Sequence, residues 1–86
     1  MKTPEQIKEI NRVHKALALL KRYSHLMDDG WPYVTVGYHG IYEMAFIEFF
    51  YMRGCVRQVF EGDEFEDGLN KLEVMINERD HDKVPF

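Results

Sequence analysis

Residues 42–52, YEMAFIEFFYM, constrain this chain more than any other stretch, because eleven residues carry only two charges, Glu43 and Glu48. Read as a strand, the run places Ala45, Ile47, Phe49 and Tyr51 on one face. Met44, Phe46 and Phe50 fall on the other, with Glu48 among them. A strand apolar on both faces belongs in the middle of a sheet or against another molecule. Periodicity alone leaves a helix open for the same run. Its aromatic and β-branched content, and the turn-forming Arg53 and Gly54 directly after it, favour the strand.

The flanking segments supply partners for such a strand. Before it, YVTVGYH at residues 33–39 alternates Val34, Val36 and Tyr38, with a turn at His39 and Gly40. After it, residues 56–60 form the return strand. The N-terminal segment reads as a long helix over residues 4–27. Thr3 is its N-cap, Pro4 its first residue and Gln6 the third member of a capping box. Ile7, Ile10, Val13, Leu17, Leu20 and Met27 recur at helical spacing, and Ala16, Leu19 and Tyr23 widen that stripe. Asp28, Asp29 and Gly30 end it, with Gly30 suited to a left-handed cap. A second helix starts at Asp63, with Glu66 closing another capping box. Phe65, Leu69, Leu72 and Ile76 make its buried stripe. Gly68 beside that stripe implies close contact with a strand. This helix is expected to fray over residues 78–81, leaving residues 80–86 as a loose tail. The order is α-β-β-β-α, an α+β fold of a three-stranded antiparallel meander with two helices packed on it. Residues 1–86 form a single domain.

Several function classes lack support. No run of 18 apolar residues suits a membrane span. The charged N-terminal segment does not read as a secretory signal. With one cysteine and no signal, the expected setting is a reducing cytoplasm. Cys55 is expected to be a small, half-buried hydrophobe. His14, His25, His39 and His81 show no zinc-ligand spacing, so no metal or cofactor is expected. His14 reads as a boundary histidine on the apolar side of the first helix. Asp80, His81 and Asp82 offer at most a loose cation contact in a tail. No nucleophile elbow, phosphate loop or dinucleotide fingerprint is present. Glu43 and Glu48 lie on opposite strand faces, so they form no carboxylate pair. An enzyme is therefore not expected.

Charge points instead to binding. Residues 1–27 carry six cations against two carboxylates, and residues 28–86 carry five against thirteen, for a chain total of −4. Glu61, Asp63, Glu64, Glu66 and Asp67 are the densest cluster. Helix capping and dipole pairing account for part of it. The remaining reading is an acidic face that occupies a partner's basic groove. Lys8, Arg12, Lys15 and Arg22 share one helix face and offer an alternative contact with nucleic acid. Trp31, Tyr42 and Tyr51 stand out as interface aromatics, and the bland alternative has them filling a shallow core from its edges.

The stretch VFEGDEFEDGLNKLE at residues 59–73 resembles the strand-to-helix close of many small phage and prophage proteins. The resemblance implies a virus-type accessory protein that binds and modulates a host factor in the host cytoplasm, and it carries over no functional residue. The sequence thus leads to a non-enzymatic protein-binding module, an inhibitor or modulator with an acidic surface. Homodimerisation through the sheet is the economical cover for an exposed face. The alternative is a nucleic-acid-associated regulator using the basic helix face.

Overall fold

A computed structural model describes residues 2–27 and 30–82, with side chains up to Glu78. Helix α1 spans Pro4–Leu26, followed by strands β1 (Tyr33–His39), β2 (Met44–Tyr51) and β3 (Val56–Glu61), and helix α2 (Phe65–Asp82). Short 3-10 turns at Arg53–Cys55 and Gly62–Glu64 join β2 to β3 and β3 to α2. The sheet order is β1-β2-β3, antiparallel throughout. This is the α-β-β-β-α, mixed α+β architecture expected from the sequence.

The doubly apolar run is the central strand. Phe49 sits opposite Val34 on β1 and Gln58 on β3, and Ile47 sits opposite Val36 and Phe60. Ala45, Ile47 and Phe49 have no solvent exposure. Both helices pack on that face of the sheet. Phe65, Leu69, Leu72 and Ile76 of α2 join Ala16 and Tyr23 of α1 in one continuous core with it. Each large aliphatic or aromatic side chain removed from water here contributes about 1.5–3 kcal/mol. Gly68 allows α2 to sit directly on β3, because a Cβ there would come within 2.7 Å of the Phe60 Cβ. Lys71 of α2 closes the rim: its Nζ lies 4.8 Å from the centre of the Phe49 ring, and it donates to Gln58 Oε1.

Helix α1 begins as expected. Gln6 N donates to Thr3 Oγ1, Thr3 N donates to Gln6 Oε1, and Pro4 opens the helix. Its buried line is rotated from the expected stripe. Ala16 and Tyr23 are fully buried, whereas Ile7 and Leu17 remain 48% and 44% exposed. Ala16, lacking bulk, lets the helix backbone approach the sheet, and Tyr23 is long enough to reach the start of β1. There its hydroxyl donates to the Pro32 carbonyl, and its ring lies 5.6 Å from that of Trp31. The helix ends where Met27 turns extended while its N–H still donates to the Tyr23 carbonyl. Gly30, at φ +90, shapes the approach to β1 rather than the cap itself. Asp28 and Asp29 lie outside the described residues.

Three further expectations are corrected. Helix α2 is entered through the 3-10 turn, with Phe65 N donating to Gly62 O, instead of an Asp63 cap. Glu66 turns towards Arg12 rather than back to its own helix start. The same helix continues to Asp82, so residues 80–82 are helical rather than tail. Residues 83–86 and the side chains of Asp80, His81 and Asp82 lie outside the description. Cys55 is exposed rather than half-buried, because it occupies the tight β2–β3 turn at φ +52 after Gly54 at φ +79. His14 is exposed rather than at the core boundary, as the rotation of α1 requires.

Two substitutions test this packing. Gly68→Ala should lower the urea midpoint by the equivalent of about 1–3 kcal/mol, overpacking against Phe60 exceeding the gain in helix propensity. A raised midpoint would refute the close approach. Burial, helped by the nearby Tyr51, pushes the Tyr23 phenol up to about 12. Its folded value lies above its unfolded one. The stabilisation is therefore whole below about pH 10 and is lost as pH rises towards about 12. Tyr23→Phe should cost about 1–2 kcal/mol at neutral pH and remove that part of the alkaline loss. Equal urea midpoints for the two proteins at pH 7 would contradict the bond to Pro32.

Candidate functional site

The end of the sheet marked by His39, Met44 and Glu61 gathers both helix starts and the β1–β2 turn. Residues 40–43 form that turn, with Glu43 in the left-handed region at φ +52. The turn places two apolar side chains in solvent: Ile41 is 91% and Tyr42 73% exposed. Gln6 Nε2 donates to Glu43 Oε1 at 3.2 Å, which ties the tip to the first turn of α1. Tyr42 meets the His39 ring edge-on at 6.3 Å. His39 Nε2 in turn lies 2.9 Å from Glu61 Oε2, linking the tip to the end of β3. Gly62, at φ +61, then turns the chain so that Asp63 and Glu64 are exposed beside this link.

Beneath the tip, one carboxylate anchors the arrangement. Glu9 Oε2 accepts from the Ala45 N–H at 2.8 Å, and its Oε1 lies 2.7 Å from Arg12 Nη1. Arg12 stacks over the Phe65 ring at 5.3 Å and places Nε 3.5 Å from Glu66 Oε1. Its side chain is only 13% exposed. A charge so enclosed is held by its partners rather than offered to a ligand. The Arg12 cluster thus joins α1, β2 and α2 at the acidic end.

The five acidic candidates share this end but differ in role. Glu61 is engaged by His39 and Glu66 by Arg12. Asp63, Glu64 and Asp67 are exposed and form no ion pair among the described residues. The basic row is divided. Lys8, Lys15 and Arg22 are exposed, while Arg12 is enclosed. Lys8 and Lys15 border a shallow cleft that also includes Ile7, Asn11 and Glu66. The basic first helix therefore lies beside the acidic start of the second, and the segregation along the chain is not a segregation in space.

The three aromatic candidates are separated. Tyr42 belongs to the acidic end. Trp31, against Tyr23, and Tyr51, whose ring centre is 5.1 Å from Lys71 Nζ, are half-buried. They border a broad cleft near the other end of the sheet with Met27, Tyr33, Met52 and Arg53. Ile41 is absent from the sequence-based candidates. Its signal was an isoleucine directly after the turn glycine, Gly40, where a polar residue is usual. Cys55 and His39 lie at opposite ends of the sheet, so no thiolate–imidazole pair forms between them. Among the described residues, no group of three or more His, Cys, Asp or Glu side chains is placed to hold a metal ion. No described helix is long and apolar enough to cross a membrane. Comparison with protein-family models, with curated proteins and with solved structures finds no match to this chain.

Proposed function

We propose that this chain is a non-enzymatic protein-binding module, and that its acidic end is the surface offered to the partner. The observation that carries this is the exposed pair Ile41 and Tyr42 at the same end of the sheet as Glu43, Glu61, Asp63 and Glu64. Apolar anchors of this kind supply most of the energy of an interface when they enter a pocket. Surrounding carboxylates supply orientation and faster encounter. The partner that suits this end has an apolar notch rimmed by lysine or arginine. An inhibitor or modulator that fills a basic groove works in this way. So would a viral accessory protein acting on a host factor in the host cytoplasm.

The basic row is less suited to a primary contact. Arg12, its most central member, is committed to Glu9 and Glu66. Phosphate recognition by the remaining cations would also occur beside the carboxylates of α2, which repel phosphate.

Affinity capture from host or source lysate with paired baits tests the proposal. A partner retained by the wild-type chain should bind Tyr42→Ala or Ile41→Ser at least about 10-fold more weakly. The combination Asp63→Lys, Glu64→Lys and Asp67→Lys should weaken capture most at low salt, where screening is least. Lys8→Ala with Lys15→Ala should leave capture unchanged. Capture indifferent to the tip and acidic variants would overturn the proposal. Recovery of nucleic acid, lost with the lysine variants, would transfer the function to the basic row.

A further inference from the structure

The face of the sheet opposite the helices has a character unlike the rest of the molecule. It presents Tyr33, Thr35, Gly37 and His39 from β1. Met44, Phe46, Glu48 and Phe50 come from β2, and Arg57, Val59 and Glu61 from β3. No described element of the chain covers it. Tyr33 is 53% and Val59 41% exposed. Phe46 lies flat across β1: a Cβ at Gly37 would fall 2.4 Å from its ring, and the His39 ring is 4.5 Å away. A glycine at that position in a strand is what allows such an approach. The aromatic surface is therefore already ordered before any partner arrives, which lowers the entropic cost of covering it.

Its central charges are closed on one another, Arg57 on Glu48, while at one corner His39 Nε2 lies against Glu61. The whole chain carries −4, so two copies repel each other wherever the acidic end is involved. The sheet face is where they meet without that cost. A strongly basic or acidic partner would find little unpaired charge at the centre of this face, whereas a second copy presents the same apolar surface. Three strands of about seven residues span roughly 23 by 14 Å. With side-chain relief, burying it on two copies removes about 1,000 Å² in all, at the threshold for a specific interface.

We infer that the open sheet face is a self-association surface, on which a second copy of this chain packs sheet to sheet. The product is a four-layer sandwich with helices outside and both acidic ends free. A two-fold axis near β2 sets Phe46 and Phe50 of the two copies at the centre, with the sheets about 10 Å apart. Arg57, 67% exposed on the edge strand, keeps its contact with water at the rim. This surface touches the acidic end only at its margin, through His39, Met44 and Glu61, and it stands whether or not that end binds a partner.

Sedimentation equilibrium of the purified chain, from low micromolar to submillimolar concentration, tests this. The expected result is a reversible rise to twice the 10.3 kDa chain mass, little affected by salt. Val59→Lys and Phe50→Glu should each raise the dimer dissociation constant by about 30-fold or more, with circular dichroism showing the fold retained. Val59 is on an exposed edge strand, so its variant is informative even if Phe50→Glu fails to fold. Tyr42→Ala should dimerise normally. A 10.3 kDa mass throughout the range would overturn the inference. So would a dimer indifferent to Val59→Lys, or one that dissociates as salt rises.

Discussion

Strand β2 is apolar on both sides, and the two described helices cover only one of them. That imbalance organises the molecule. Ala45, Ile47 and Phe49 lose all contact with solvent beneath α1 and α2. Among the described residues, Met44, Phe46 and Phe50 on the reverse are sheltered only by neighbours on their own sheet. The result is a slab with a smallest dimension of 18 Å, the depth of one helix layer on one sheet. A domain of this size has limited core to bury, and oligomerisation is one of the ways in which small domains add to it.

The second organising contact is electrostatic and local. Glu9 accepts from the first N–H inside the helix-covered face of β2 while holding Arg12, and Arg12 reaches Glu66 at the start of α2. This small cluster brings three elements to one end of the sheet. It also converts an apparent contrast between a basic N-terminal segment and an acidic remainder into a single mixed corner. Among the described residues, what stays unpaired there is acidic, in Asp63, Glu64 and Asp67, and the β1–β2 turn adds two apolar side chains at the same end. The molecule therefore offers two surfaces of different chemistry: an acidic end with an apolar tip, and an aromatic sheet face whose Arg57 and Glu48 are paired with each other.

Much of the architecture was legible in the sequence because several local signals agreed. The Thr3 and Gln6 capping box, the alternation in β1, the turn at Gly54 and the α2 stripe all operate over a few residues. Gly68 was readable for the same reason: a glycine in a helix is costly unless something presses against it. The face of α1 was less legible. Sequence spacing weights large apolar residues equally, whereas the contact is centred on Ala16, chosen for its small size, and on Tyr23, placed by a bond to Pro32. The expected Asp63 cap gave way because Glu66 has a better partner in Arg12, a contact between residues more than fifty positions apart. The candidate surface was half legible. Its carboxylates and Tyr42 were visible as residue types, but their convergence with Ile41 depends on the His39–Glu61 and Gln6–Glu43 links, which are tertiary. Which side of the sheet the helices would cover depended on packing alone.

The proposed self-association surface is the face of the sheet that no described element covers. Backbone amide NMR shifts, followed as the isotopically labelled chain is concentrated, test it most directly. Self-association through this face should give concentration-dependent shifts confined to the strands, centred on Phe46 and Phe50 and extending to Tyr33 and Val59. Residues 41–43 and 63–67, with the exposed faces of both helices, should stay fixed. Shifts centred on the acidic end or the helices, or none at any concentration, would contradict it.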